Sequence, residues 1–189
     1  MENSIENLNR TAVNNGLILG AITFCINVVV YYAYPSAMGS TSFGILSLIV
    51  ALILYIYFII DLRKKIGGFW SFKEALKGIF LMTIVSALLG AVLQFIFYKF
   101  IEPNAYDKIS GYVLNSLTET YSKLGMDQDT IDKTVEKINE SLKSQFNPSI
   151  GDFFKTLGIS VVIQFILSLI FAAIFKKEQP LFAKDIVEE

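Results

Sequence analysis

The sequence predicts an all-α integral membrane protein with four transmembrane helices and an extracytoplasmic helical hairpin between the third and fourth spans. Apolar residues make up 53% of the chain and charged residues only 17%, whereas soluble domains carry about 25% charged residues. Four apolar runs approach or exceed the roughly 20 helical residues that a bilayer core requires. Between the third and fourth runs, the apolar residues recur every three or four positions, which is typical of amphipathic helices.

The four spans follow from runs that contain no charged residue, and short interfacial ends extend two of them. The charge-free runs are residues 16–34, 43–60, 78–98 and 156–175. The predicted transmembrane helices are 16–34, 43–60, 78–101 and 153–175. The remaining segments are an N-terminus (1–15), a basic connection (61–77), the hairpin (102–152) and a tail (176–189).

The distribution of basic residues predicts the orientation of the spans. The second connection holds Arg63, Lys64, Lys65, Lys73 and Lys77, while the first connection has no basic residue. The hairpin segment carries nine acidic residues against five lysines. Because basic loops are retained in the cytoplasm, both termini and the second connection are predicted to be cytoplasmic, and the hairpin lies outside.

The basic connection contains a motif that predicts a turn followed by the start of a helix. Gly67 and Gly68 permit a sharp turn, and Ser71 with Glu74 fits a capping box that begins the third helix. Just before this turn, three basic residues are candidate lipid-headgroup contacts, each worth on the order of 1 kcal/mol at an anionic surface. These candidates are Arg63, Lys64 and Lys65. Their alternative role is only to set the topology.

Three amides within the spans, Asn27, Gln94 and Gln164, are candidate intramembrane polar contacts. They either hydrogen-bond between helices or line a path for a solute. Small residues spaced four apart, as in Gly16-x-x-x-Gly20, permit close approach of helices. This approach builds either the bundle itself or a homodimer.

The hairpin segment carries two apolar faces, divided by a break at Gly125 and a capping residue at Asp127. These faces are a candidate partner-binding surface, and their alternative role is to pack as a cap on the rest of the protein. The residues concerned are Ile109, Val113, Leu117, Ile131, Val135, Ile138 and Leu142.

The composition also argues against several classes of function. The chain has no histidine and one cysteine, Cys25, which excludes His-based triads and His zinc sites. The acidic residues after Gly125 lack the glycine and glutamate that a helix-loop-helix calcium loop needs. A net charge of −1 gives no basic face for nucleic acid. We therefore predict a non-enzyme without catalytic, cofactor or metal sites.

The order and spacing of these features resemble a family of four-span bacterial inner-membrane proteins, domain of unknown function 4199. The resemblance covers nearly the whole chain and rests on the early glycine-rich span and on four further landmarks. They are Gly67-Gly68 leading to Ser71-Phe72-Lys73-Glu74-Ala75, Ile101-x-Pro103, the Gly125-Met126 break, and Phe175-Lys176-Lys177. It implies the architecture above and a location in the bacterial inner (cytoplasmic) membrane, but no activity and no site residues.

The functional expectation is a protein that acts through protein or lipid contacts, as an accessory or scaffold subunit of an envelope complex. Its expected partners are membrane lipids and either an envelope protein or further copies of the chain in a homo-oligomer. The alternative function is a small oligomeric transporter or channel built around Asn27, Gln94 and Gln164.

Overall fold

The computed structural model describes residues 2–178, with side chains from residue 7. Within this part of the chain the fold is all-helical, and the only extended pairing is a backbone bridge between Trp70 and Lys177. A 3-10 helix, Pro35–Gly39, follows the first α-helix, and a π-helical turn, Phe97–Ile101, continues the third. The α-helices are α1 (Glu2–Ala33), α2 (Thr41–Lys65), α3 (Phe72–Ile96), α4 (Ala105–Lys123), α5 (Gln128–Phe146) and α6 (Ile150–Phe175).

Four helical segments are long and apolar enough to cross a membrane, which confirms the predicted number of spans. They are Asn7–Ala33, Thr41–Lys65, Phe72–Ile101 and Ile150–Phe175. Each is longer than its predicted counterpart, because the prediction followed apolar composition while a helix continues as long as its backbone hydrogen bonds do. Part of the predicted tail, residues 179–189, lies outside the described residues.

The surface of α2 shows why this chain needs a bilayer. Leu48, Ile53 and Tyr57 are 61%, 60% and 62% exposed, and each is a large apolar or aromatic residue. Soluble monomers rarely expose a continuous apolar surface of this kind. Lipid tails cover such a surface, so the protein is a transmembrane protein.

The described chain forms two compact units. The first comprises residues 2–21, 53–89 and 158–178, and the second comprises residues 22–52 and 90–157.

In the first unit, two glycines of α1 lie against the backbone of α3. A Cβ atom added to Gly16 would lie 2.5 Å from the carbonyl oxygen of Met82, and one added to Gly20 would lie 2.9 Å from that of Ser86. Real Cβ atoms do not approach backbone oxygens so closely. The predicted Gly16-x-x-x-Gly20 spacing therefore builds an internal contact between helices.

The turn before α3 confirms the predicted motif. Gly67 and Gly68 have φ angles of 108° and 85°, values that favour glycine. The backbone N–H of Ser71 donates to the Glu74 carboxylate at 2.7 Å, and the N–H of Glu74 donates to the Ser71 hydroxyl at 3.4 Å. This is the reciprocal capping box that the sequence predicts.

Next to this turn, Trp70 joins the end of α6, and we call the four residues involved (Arg63, Trp70, Phe175, Lys177) the Trp70 clamp. The indole Nε1–H donates to the Phe175 carbonyl at 2.8 Å, and the backbone N–H of Trp70 donates to the Lys177 carbonyl at 2.8 Å. Arg63 also donates to the Phe175 carbonyl, at 3.3 Å. Only 2% of Trp70 is exposed, and its ring N–H satisfies a carbonyl at a helix end.

In the second unit, α4 and α5 form the predicted helical hairpin. Gly125 has a φ of 74°, and Met126 N–H donates to the Tyr121 carbonyl at 3.2 Å, which completes a Schellman end to α4. The Asp127 carboxylate then accepts from the N–H of Thr130 at 2.9 Å. Both the predicted break at Gly125 and the predicted cap at Asp127 are confirmed.

The hairpin packs on an aromatic cluster within the same unit, made of Tyr31, Phe97, Tyr98 and Phe146. The N–H of Glu102 donates to the Phe97 carbonyl at 2.8 Å, so the π-helical turn carries one extra residue. Phe97 and Tyr98 are buried, while Phe100 is 72% exposed. The rings of Phe97 and Tyr98 contact the Tyr31 ring of α1 edge to face, with centroids 5.5 Å and 6.3 Å away. The Tyr98 ring also contacts Phe146 of α5 edge to face, with centroids 4.9 Å apart.

Candidate functional site: a polar cleft in the second unit

The three predicted intramembrane amides have three different environments. Asn27 donates to the Thr23 carbonyl one turn earlier in its own helix, at 2.9 Å. Gln164 accepts from the hydroxyl of Tyr55 at 3.1 Å, which joins α6 to α2 within the first unit. Gln94 is half-buried and lines a cleft in the second unit. Helix adhesion thus accounts for Gln164, and Gln94 calls for another explanation.

The three candidate lipid-headgroup residues also differ from one another. Arg63 belongs to the Trp70 clamp. Lys65 pairs with Asp61 at 2.7 Å while its side chain stays 52% exposed, and Lys64 is exposed. Contact with lipid headgroups stays a prediction for these residues, and it is simplest for Lys64.

The apolar face of the hairpin points into the second unit. Ile109, Ile131 and Leu142 are at most 7% exposed, and Val113 and Ile138 pack against the aromatic cluster. Leu117 and Val135 are half-buried. In this structure the face serves as the packed cap that the sequence left open as an alternative, and partner binding through it stays a prediction.

A polar ladder on α1, made of Asn7, Thr11 and Asn15, was not predicted from the sequence. Asn15 is 1% exposed, and its amide donates to the Asp61 carboxylate at 2.8 Å. Lys65 donates to the Asn15 carbonyl oxygen at 3.4 Å, and Asn7 donates to the backbone carbonyl of Lys65 at 3.3 Å. These side chains are spaced four residues apart, as are Asp61 and Lys65, and residues at this spacing share one face of a helix. This pattern could have predicted the ladder from the sequence.

A second unforeseen contact joins α1 to the segment after α3. The hydroxyls of Tyr31 and Tyr32 donate to separate oxygens of the Glu102 carboxylate, at 2.9 Å and 2.6 Å. The ammonium of Lys108 lies 4.4 Å from the Tyr31 ring centroid, a cation–π distance. These hydroxyl donors, Tyr32 first, hold the pKa of Glu102 below its ordinary value, because they stabilise the charged form.

This contact predicts a loss of stability in acid. A carboxyl whose native pKa is lowered stabilises the fold above its unfolded pKa, and this stabilisation is lost as the pH falls through the native value. The second unit should therefore weaken as the pH drops below 4.5, the ordinary pKa of Glu102. In Glu102→Gln this part of the loss should be absent. Thermal unfolding followed by near-ultraviolet circular dichroism measures it.

The control for this experiment is Glu140→Gln, which changes an exposed carboxylate of α5 in the same unit. It should keep the acid sensitivity of the natural chain. Equal acid profiles for Glu102→Gln and the natural chain would show that the tyrosine contact does not govern the response.

The cleft at Gln94 is a candidate site within the described residues. It has a volume of about 350 Å³ and lies where α3, α5 and α6 meet within the second unit. Phe95 and Phe153 line it, with ring centroids 5.2 Å apart. Its polar side chains are Gln94, Ser141, Ser144, Gln145, Asp152 and Thr156.

A second cleft of about 310 Å³ adjoins the first and shares Ser144 and Asp152 with it. Lys143 and Asn147 line this second cleft, and Lys99 donates to the Asn147 side chain at 3.5 Å. The first cleft thus offers a carboxylate among neutral hydrogen-bonding groups, and the second adds one ammonium group, that of Lys143. Pockets of this size are typical of small-molecule sites.

The carboxylate of Asp152 is held in place by the start of α6. Its Oδ2 atom accepts from the backbone N–H and the hydroxyl of Ser149, at 3.1 Å and 2.6 Å. The Asp152 N–H in turn donates to the Ser149 hydroxyl at 3.0 Å. This second capping box fixes the side chain that both clefts share.

The comparisons with known proteins identify a family. A family model described as a protein of unknown function, DUF4199, matches residues 14–177, which include α2 to α6 and most of α1. No curated protein and no solved structure matches the chain. The chain belongs to the DUF4199 family of proteins of unknown function.

Proposed function

We propose that this protein is a non-enzymatic accessory or scaffold subunit of an envelope complex in the bacterial inner membrane. Both termini lie in the cytoplasm, and the α4–α5 hairpin lies on the outer side, in agreement with the distribution of basic residues. The observation that carries the proposal is the packing of the hairpin, whose apolar side chains are largely buried within the second unit while its charged side chains remain exposed.

The exposed face of α5 is charged. Glu136, Lys137 and Glu140 are exposed, and Lys133 is held by Asp129 at 2.6 Å. The whole segment 102–152 has nine acidic residues and five lysines. This acidic balance favours a partner with a basic surface.

Co-purification tests this role. Tagged protein is isolated from native membranes in mild detergent, and its stoichiometric partners are identified by mass spectrometry. We expect an envelope protein that Glu136→Lys/Glu140→Lys fails to retain and that Glu136→Gln/Glu140→Gln retains in part. Both positions are exposed, so neither variant should change stability by more than about 0.5 kcal/mol.

Recovery of a defined homo-oligomer alone would contradict the accessory role. It would favour the alternative of a small oligomeric transporter or channel, and solute flux into liposomes containing the pure protein would then decide. The contacts lend that alternative little support, because Asn27 and Gln164 already have hydrogen-bond partners in the protein.

A further inference from the structure

Gln94 is a polar side chain within an apolar span whose partner the described protein does not provide. It lies seven residues before the end of the span Phe72–Ile101, and no side chain or backbone group of the described residues forms a hydrogen bond with it. An amide that lacks a partner in an apolar environment costs about 1–3 kcal/mol by mutational measurements. Gln94 therefore presents an amide without a protein partner to the cleft.

The position of the cleft indicates where its contents come from. Ala91, Gln94 and Thr156 belong to candidate spans, whereas Ser141 to Pro148 do not. The cleft therefore crosses the boundary between apolar helix and polar hairpin. Beside it on α6, Ile150 and Phe154 are 70% and 66% exposed, and such side chains offer a surface for acyl chains.

The charges select one kind of head group. The first cleft has a single charged side chain, Asp152, whose Oδ1 atom receives no hydrogen bond from the described residues. This carboxylate favours an ammonium group and disfavours a purely anionic head group. The adjoining cleft carries Lys143, and a phosphate binds well to ammonium side chains and hydroxyls such as that of Ser144.

We propose that the two clefts together bind a phosphoethanolamine group, with its ammonium on Asp152 and its phosphate toward Lys143. The amide of Gln94 bonds to the head group from the span side. The group comes either from an aminophospholipid of the bilayer or from free phosphoethanolamine.

Native mass spectrometry of the whole protein tests this site with three lipids: phosphatidylethanolamine, phosphatidylglycerol and phosphatidylcholine. We expect retention of phosphatidylethanolamine about tenfold above the other two, as one charge-assisted hydrogen bond provides. Asp152→Asn should remove this preference. The control is Asp127→Asn, since the Asp127 carboxylate also accepts a backbone N–H at the start of a helix and lies outside both clefts.

Gln94 provides a separate readout. Gln94→Leu removes an amide without a partner, so it should leave the lipid-free melting temperature unchanged or higher while it weakens phosphatidylethanolamine binding. Gln164→Leu removes the acceptor of the Tyr55 hydroxyl and should lower the melting temperature without affecting the lipid preference. A structural role for Gln94 would instead lower the melting temperature in both variants.

Competition distinguishes the two sources of the group. Displacement of the lipid by millimolar O-phosphoethanolamine would assign the site to the soluble compound, and resistance to it would assign the site to the lipid. Equal retention of all three lipids, together with no binding of O-phosphoethanolamine, would overturn the proposal. Equal behaviour of Asp152→Asn and Asp127→Asn would overturn it as well.

Discussion

Replacing Trp70 with alanine should destabilise the first unit by about 3–5 kcal/mol, the range for deleting a buried large aromatic ring. Trp70 is 2% exposed, so the substitution leaves a cavity between the turn and the end of α6. It also removes the indole N–H that donates to the Phe175 carbonyl. Chemical unfolding in detergent, followed by far-ultraviolet circular dichroism, measures the loss.

Trp70→Phe is the matched control, because it keeps most of the apolar volume and removes only the N–H donor. It should cost about 0.5–1.5 kcal/mol, the net contribution of one hydrogen bond, because Arg63 still donates to the Phe175 carbonyl. Trp70 is the only tryptophan of the chain, so the fluorescence of the natural protein reports directly on the clamp. A change below about 0.5 kcal/mol in Trp70→Ala, the range of a surface site, would refute the clamp.

Replacing Gly16 with alanine should cost about 1–3 kcal/mol, the usual cost of overpacking. The new Cβ atom would lie 2.5 Å from the Met82 carbonyl oxygen and 2.9 Å from the Val85 Cβ. Because the first of these atoms is backbone, α1 and α3 must move apart. The unfolding midpoint of Gly16→Ala in detergent measures the effect.

Gly90→Ala provides the comparison. Gly90 also lies within a membrane-spanning helix, and a Cβ added there meets no atom within 4 Å. Alanine has the better helix propensity, by about 1 kcal/mol, so this variant should be as stable as the natural chain or more stable. If both variants had the same stability, the close approach at Gly16 would not limit packing.

The features that the sequence determined are those that depend on near neighbours or on composition. The four spans follow from the length of each apolar run. The Ser71–Glu74 box and the Asp127 cap are contacts across three residues, and the turn glycines need only their own φ angles. Such features depend only on residues close together in the chain and do not require particular tertiary contacts, so a single sequence suffices to predict them. The family followed from the order of these same landmarks.

The tertiary structure decided which distant side chains meet. The Glu102 carboxylate accepts hydrogen bonds from Tyr31 and Tyr32, which precede it in the chain by 71 and 70 positions. Trp70 donates to the carbonyl of Phe175, which follows it by 105 positions. Asn27, Gln94 and Gln164 look alike in the sequence, yet of these three only Gln94 lines the first cleft. No local pattern separates these amides, because the hydrogen-bond partner of a polar side chain in a span depends on which helices pack beside it.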